Sequence, residues 1–515
     1  MRKKVTFIIL TFIILLAAFM RLYRISDYMT FLGDEGRDVM VAKGILMGHF
    51  TLLGPRASAG DFFLGPIYYY LMAPWLWLFQ YDPVGPAVMV ALFGVATVWL
   101  IYFVGKQWFN TATGLFAAAL YAVSPVVITY SHSSWNPNIL PFFALLSIYM
   151  TYKAVGSAQA WKYFLFIGFL LGIALQLHYI ALFLIVVIVL YSFFGQWLMY
   201  GKIPVLPIAK SYMQLFAGFL VSISPFLAFE VRHGFPNIQT IFSFIFGVNV
   251  NKGYESGGNF FTTVADIFFR LFGRLVFHFP SPDRYPWFSL LQLQLFGLAV
   301  ILLALASIIH IYYTKNKFVI LLVYLWLFVG IFLFGLYKKS IYDYYFAFFF
   351  PLPFLIFGNL LSSLLTWGKT KIQKITAVLI AGCLFSSIFA YDMTGMPFIN
   401  EPNKQKDQAS IISKAVISHT NNKPYNFALL AEGNSDYSYR YYLEQFNHKP
   451  ITIENDMNDP ERKTVTDQLL VVCEDQNCKP LGNPLFEIAG FGPAKIVGSW
   501  NVILVKVYKL EHASQ

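Results

Sequence analysis

Residues 2–38 open with Arg2-Lys3-Lys4, continue as VTFIILTFIILLAAFM over 5–20, and reach Gly33-Asp34-Glu35-Gly36-Arg37-Asp38 a short way on. Three cations, an uncharged apolar run and three carboxylates within five residues read as one side of a bilayer, a crossing and the other side. A helix through about 30 Å of hydrocarbon needs about 20 apolar residues, and the run at 5–22 supplies them. A cleaved signal peptide starts the same way, but no small-residue cleavage site follows and further apolar runs come after, so the run reads as an anchor.

The rest of the 515 residues extends this pattern. The chain is 57% hydrophobic and 12% charged, with a mean hydropathy of +0.59; a soluble domain carries about 25% charged residues. A soluble enzyme is excluded, and so is a disordered scaffold, which needs low hydrophobicity and high charge. Further apolar runs lie near 84–105, 111–129, 137–152, 161–178, 179–199, 211–230, 287–312, 318–337, 342–365 and 375–392, which predicts a polytopic α-helical membrane protein of about eleven spans. The net charge of +11 is a matter of placement. Residues 1–391 hold 25 Lys/Arg and 11 Asp/Glu, and the remainder 12 and 15. Alternate loops carry Lys106, Lys153, Lys162, Lys202, Lys210, Lys315, Lys317, Lys369, Lys371 and Lys374 and no acid at all. Cytoplasmic loops are the Lys/Arg-rich ones, so the N-terminus is expected in the cytoplasm, the tail outside a plasma (inner) membrane, and no nucleic-acid partner is needed to explain the charge.

The expected organisation is a membrane domain over 1–392, with long outer loops at 23–83 and 231–286, followed by a small extracytoplasmic α/β domain over 393–515. Val39, Ala42, Ile45 and Leu46 beside Arg37, Asp38 and Lys43 suggest a helix lying in the membrane interface. Gly253, Gly257 and Gly258 mark a loop. In the tail, 404–419 reads as a helix and 426–432, 468–474 and 501–509 as strands. Cys473 and Cys478 fit a disulfide or two free thiols, with half a zinc site a poorer fit because no second ligand pair is near; Cys383 reads as a small apolar residue in the last span.

Four constellations could carry chemistry. In the first, Asp34 and Asp38 share a helix face with Arg37 beside Asp34; acids at a helix start also simply favour its positive end, while the functional reading is a general base or a metal site at the membrane surface. The second is Asp61-Phe62-Phe63-Leu64-Gly65-Pro66-Ile67 with Tyr68, Tyr69 and Tyr70, which also reads as an aromatic belt. The third, Ser131 to Asn138, is turn chemistry, yet Trp135 with Asn136 and Asn138 also suits a sugar's apolar face and hydroxyl edge. The fourth gathers His178-Tyr179, Arg232-His233 and Lys338-Lys339 with Tyr342 to Tyr345 at outer ends of spans; single cations there snorkel, whereas several converging would bind a phosphate.

Together these features resemble the polytopic glycosyltransferases of the GT-C fold, in particular the family 39 group that includes protein O-mannosyltransferases and the aminoarabinose transferases of lipid A. The resemblance spans most of residues 1–365. Asp34-Glu35 after the first span is similar to that family's acidic motif, Gly65-Pro66-Ile67-Tyr68 to its Pro-Pro-Leu-x-Tyr stretch, Asn136-Pro137-Asn138 to its next turn, and Tyr342 to Pro353 to its late Tyr-rich stretch. Phe63 and Leu64 stand where some relatives have a lysine, and Asn136 and Asn138 where others have an acid.

The resemblance implies an enzyme that moves a sugar from a polyprenyl-phosphate donor to a protein, lipid or glycan acceptor on the outer face, with inversion. It implies Asp34 as the base and Glu35 as its partner; Arg232, His233, His178, Arg56 and Lys338 on the donor phosphate; and Asp61, Tyr68, Trp135, Asn136, Asn138 and Tyr345 on sugar or acceptor. No cofactor is required, although Asp34, Glu35 and Asp38 are hard oxygen ligands that could hold a divalent cation. The competing classes are a transporter or flippase of lipid-linked glycans, and a polymerase or ligase with a larger donor. Charges crowded at one face rather than at the midplane, and the lack of an internal repeat, favour surface chemistry over transport.

Overall fold

In a computed structural model of the chain the described residues are 3–57, 60–246, 259–279, 289–337, 339–475 and 477–513. The predicted loop at Gly253, Gly257 and Gly258, and Lys338, lie outside them. Two compact units emerge: Met1–Tyr23, Phe50–Leu71 and Val88–Glu401 form one, and Arg24–His49, Met72–Ala87 and Pro402–Gln515 the other.

The first unit is the membrane domain. With no water to bond in hydrocarbon, the backbone must satisfy itself, and helices do so. Among the described residues, eight helices are long and apolar enough to cross: Lys3–Leu22, Val84–Trp108, Ala160–Leu177, Ala181–Tyr200, Val205–His233, Leu290–Ile311, Lys317–Gly335 and Lys371–Met393. Two bent pairs add up to two more, Thr111–Val123 with Pro125–Ser131 at 63° and Asp343–Phe349 with Pro351–Leu364 at 55°. Both bends sit at a proline, which has no N–H to continue the ladder. At the first, Ser124 is extended, the conformation that a following proline favours, so the carbonyls just before it lose their helical donors. Arg21, fully buried in the first span, replaces them, donating to the Tyr121 oxygen at 3.2 Å and the Ala122 oxygen at 3.0 Å.

The run read at 137–152 folds as a 3-10 turn, Asn136–Ile139, and a 15-residue helix, Leu140–Ala154. Its length, about 30 Å with the turn included, still spans the core. The Asn136 side chain bonds the Leu177 carbonyl, at the end of the crossing helix Ala160–Leu177, and a five-residue turn joins Ala154 to the start of that same helix. The two therefore run antiparallel between the same two levels. If it crosses as well, the candidates number eleven, as the sequence reading expects, and every basic turn listed by its lysines above would then fall on one face.

The second unit holds a four-stranded sheet of β1 (Asn426–Leu430), β2 (Gln468–Cys473), β3 (Ala494–Val502) and β4 (Val505–His512), in the order β1-β2-β4-β3, with β1 parallel to β2 and the other pairs antiparallel. Its core is Ala428, Leu469, Val471, Ile488, Phe491 and Leu510, and Cys473 and Cys478 form a disulfide. The strand expected over 501–509 is instead a hairpin corner: Ile503 takes a left-handed φ of 53°, and one apolar run serves two strands. Helix Gly33–Leu46 belongs to this unit and packs on helix Tyr437–Gln445. Val39, Ala42 and Ile45 are buried, so the face expected in lipid is covered by protein.

This packing places residues 24–49 and 402–513 on one side of the bilayer, which requires an even number of crossings between them. Seven of the eight long helices, both bent pairs and Leu140–Ala154 satisfy it. In a background lacking Cys383, His49→Cys and Gln159→Cys should react with an impermeant maleimide from opposite faces; labelling from the same face would mean that Leu140–Ala154 does not cross.

Candidate active site

In the second unit, Leu32 precedes helix Gly33–Leu46 and offers no side-chain cap, so the first donors of the helix are met from elsewhere. Glu35 Oε2 accepts from the Leu32 N–H at 3.1 Å, and Asn434 Oδ1 accepts from the Gly33 N–H at 2.9 Å. Glu35, 5% exposed, thus builds the helix start. Arg37 reaches both aspartates, Asp34 at 2.8 Å and Asp38 at 2.7 Å. Their surroundings differ sharply: the Asp34 side chain is 55% exposed and that of Asp38 is fully buried. Burial pushes the Asp38 carboxyl up to about 7, outweighing the Arg37 guanidinium that pulls it down. With Glu35 turned to the backbone and Asp38 held inside by Arg37, these three acids do not form a cation cage, and no group of three or more metal-ligating side chains occurs among the described residues.

In the first unit, breaks between helices bring aromatics together. His178, directly after helix Ala160–Leu177, lies 4.6 Å from the Tyr179 ring, 4.9 Å from Tyr345 and 5.6 Å from Tyr344, and Trp135 lies 4.3 Å from Tyr344. Tyr68 joins through its hydroxyl, 3.2 Å from Ser134 Oγ. Trp135, His178 and Tyr345, expected on sugar or phosphate, are therefore one cluster, with Tyr68 of helix Ile67–Leu78 bonded to the turn that carries Trp135. The Asn136 amide donates to the Leu177 carbonyl on the neighbouring helix and that of Asn138 to the Ser133 carbonyl within the turn, while Asn138 Oδ1 is buried with no partner among the described residues. His178 Nδ1 accepts the Ile180 N–H at 3.2 Å; that nitrogen carries no proton, the ring is neutral, and His178 is not a phosphate-binding cation here. Its Nε2 is buried with no partner among the described residues.

The expected cations fall elsewhere. Arg56 and Asp61 pair with each other at 2.7 Å, both exposed, across a short hairpin bridged at Arg56 and Phe63. Arg232 and His233 are exposed at the last turn of helix Val205–His233, where cations complement the helix dipole; His233 bonds its own helix at Phe229 O. No contact ties either to the His178 cluster among the described residues.

Two arginines that sequence reasoning passed over do approach it. Arg270 and Arg274 both pair with Asp343, at 3.2 and 2.9 Å, and Arg270 also donates to the Ile341 carbonyl at 2.7 Å. Asp343 directly precedes Tyr344 and lies two positions before Tyr345. The signal available was the i,i+4 arginine spacing on a predicted outer segment, which was hidden inside a loop lacking a clear apolar period.

Broken and continuous spans around an aromatic site, with a small α/β unit appended, make up the GT-C fold of polytopic membrane glycosyltransferases. The solved structures that share it include ArnT from Cupriavidus metallidurans bound to undecaprenyl phosphate, at 11% identity and a TM-score of 0.61 over 99% of this chain and 98% of that one. The same protein in its apo state gives 13%, 0.59, 98% and 97%. The oligosaccharyltransferase AglB from Archaeoglobus fulgidus, in complex with an inhibitory peptide and a dolichol-phosphate, gives 14%, 0.55, 91% and 69%. At such identities the likeness is one of fold. Residues 64–229 match the family described as dolichyl-phosphate-mannose-protein mannosyltransferase; the stretch includes Tyr68, Trp135 and His178 but neither Asp34 nor Arg270. No curated protein matches by sequence search.

Because the folded pKa of Asp38 is raised above its ordinary 3.8 to about 7, the native state holds a proton between those values that the unfolded state has released. The contribution of Asp38 to stability is therefore full below about pH 4 and lost as pH rises through 7. Asp38→Asn should gain thermal stability relative to the parent on going from pH 5 to pH 8; a Tm difference that does not change with pH would show that Asp38 is ionised throughout.

Proposed function

We propose that the protein is a membrane glycosyltransferase. It moves a sugar from a polyprenyl-phosphate-linked donor to a protein, lipid or glycan acceptor at the face bearing helix Gly33–Leu46, with inversion at the anomeric carbon. The observation that carries this reading is the division among three neighbouring carboxylates: Glu35 builds the helix start, Asp38 is buried, and Asp34 alone presents a largely exposed oxygen pair.

In the proposed reaction the acceptor hydroxyl oxygen attacks C1 of the sugar as the bond from C1 to the phosphate oxygen breaks. Asp34 takes the hydroxyl proton and the polyprenyl phosphate leaves with the electron pair. Stabilising that developing charge is commonly the largest catalytic term. Arg274, half-exposed, and Arg270 are the groups assigned to it, with Arg232, His233 and Arg56 as further cations on the same face. The rings of Trp135, Tyr344 and Tyr345 suit the apolar face of a pyranose. The buried His178 Nε2–H, unsatisfied at a cost of about 1–3 kcal/mol, would gain from a sugar hydroxyl. The positive-inside pattern supports this face lying outside the plasma membrane, with the N-terminus in the cytoplasm.

The test is a transfer assay with polyprenyl-phosphate monosaccharides and the purified protein in detergent. Asp34→Asn should lower kcat by about 10²–10⁴-fold, the span of general base catalysis, with expression intact; near-normal transfer would remove Asp34 from the role. Arg274→Ala should raise the KM for the donor about 10- to 100-fold, the worth of a charged hydrogen bond, and an unchanged donor KM would clear Arg274. Uptake of a lipid-linked glycan into vesicles without transfer would favour the flippase class instead.

A further inference from the structure

The loop after β1 reaches the residue next to Asp34. Asn434 Oδ1 accepts from the Gly33 N–H at 2.9 Å and from the Ser435 N–H at 2.9 Å, while its Nδ2 donates to Glu474 Oε1 at 2.7 Å. Glu474 Oε1 also accepts from the Tyr439 hydroxyl at 2.9 Å. An asparagine amide has two ends that differ only in whether they donate or accept. An ionised carboxylate only accepts, so Glu474 selects the NH₂ end and leaves the oxygen facing Gly33. Glu474 itself directly follows β2, inside the ring closed by the Cys473–Cys478 disulfide.

The surroundings leave the helix start little freedom. A Cβ on Gly33 would overlap Ser435, and one on Gly36 would overlap the Ser438 backbone, so the first turn lies directly against residues 435–438. The far end is tied by Lys43 Nζ to Glu444 Oε1 at 3.0 Å. Within those two ties, Asn434 supplies the acceptor that Leu32 cannot, at the N–H immediately before Asp34.

We propose that Asn434, oriented by Glu474, is a positioning residue for Asp34: it caps helix Gly33–Leu46 from 401 positions away and fixes the direction in which the carboxylate leaves the helix. This rests on the reading of Asp34 as the base. Asn434 touches no reacting atom, so its loss acts on kcat rather than on binding. A misplacement of about 1 Å costs on the order of 10²-fold in rate.

The test uses the full chain in detergent, with two readouts. Asn434→Leu should lower kcat about 10- to 100-fold while the donor and acceptor KM stay within about 2-fold, and it should speed amide hydrogen exchange at residues 33–36. Asn434→Asp, nearly isosteric and safer for folding, sets two carboxylates against each other and should show the same loss. Adding Glu474→Gln to Asn434→Asp restores the bond between the two side chains with donor and acceptor exchanged, leaves a carboxylate oxygen to accept from the Gly33 N–H, and should recover most of the lost kcat and the slow exchange. A double variant no better than the sum of its singles, unchanged exchange at 33–36, or a loss carried by KM would each overturn the positioning role. Asp34→Asn run alongside keeps the two ideas apart: near-normal transfer there defeats the base assignment, while exchange at 33–36 in the Asn434 variants still decides whether the cap exists.

Discussion

The packing of helix Gly33–Leu46 on helix Tyr437–Gln445 is the contact from which the rest of the arrangement follows. It joins a segment near the start of the chain to one near its end, so everything between must leave the bilayer on the side where it entered. It also sets the environments of the acids. Asp38 faces inward and is held close to neutrality, Glu35 folds back on its own backbone, and Asp34 faces out. Two glycines, at 33 and 36, make the approach close enough for a side chain of the tail to reach the helix start.

Inside the membrane domain a polar group removed from water is costly, and two of the outcomes seen are a partner within the protein and a place where helices break. Arg21 shows the first outcome: a cation in an apolar span replaces the donors that Pro125 takes away. His178 and the tyrosines around it show the second, collecting at the points where helices break and where backbone irregularity is tolerated because protein, not lipid, surrounds it. The cations at the edge of this cluster are arginines shared with Asp343, an arrangement that holds them in place.

The membrane class and most of the apolar helices were legible because they depend on run length, which is a property of consecutive residues. The pairing of Tyr68, Trp135, His178 and Tyr345 was half legible: the last three lie at predicted outer span ends and Tyr68 in a long outer loop, and only folding shows that they meet. Three things were not legible. The neutrality of His178 depends on a hydrogen bond from Ile180, set by a local turn. The mutual pairing of Arg56 and Asp61 depends on a hairpin. The arginines at 270 and 274 gain meaning only from Asp343, some 70 residues on. The lipid-facing reading of Val39, Ala42 and Ile45 failed because amphipathic periodicity reports an apolar partner without saying whether that partner is lipid or protein.

The 401 residues separating Gly33 from Asn434 also bear on how the molecule is made. Chains are synthesised at about 5–20 residues per second, so on the order of 20–80 s pass between the emergence of the acidic segment and that of its cap. During that interval the spans can insert one after another while Asp34 sits on a helix whose first turn is unfinished. Completion of this helix start is thereby deferred to the last stage of synthesis, and a chain released early would carry every membrane span and still lack the Asn434 contact at Gly33.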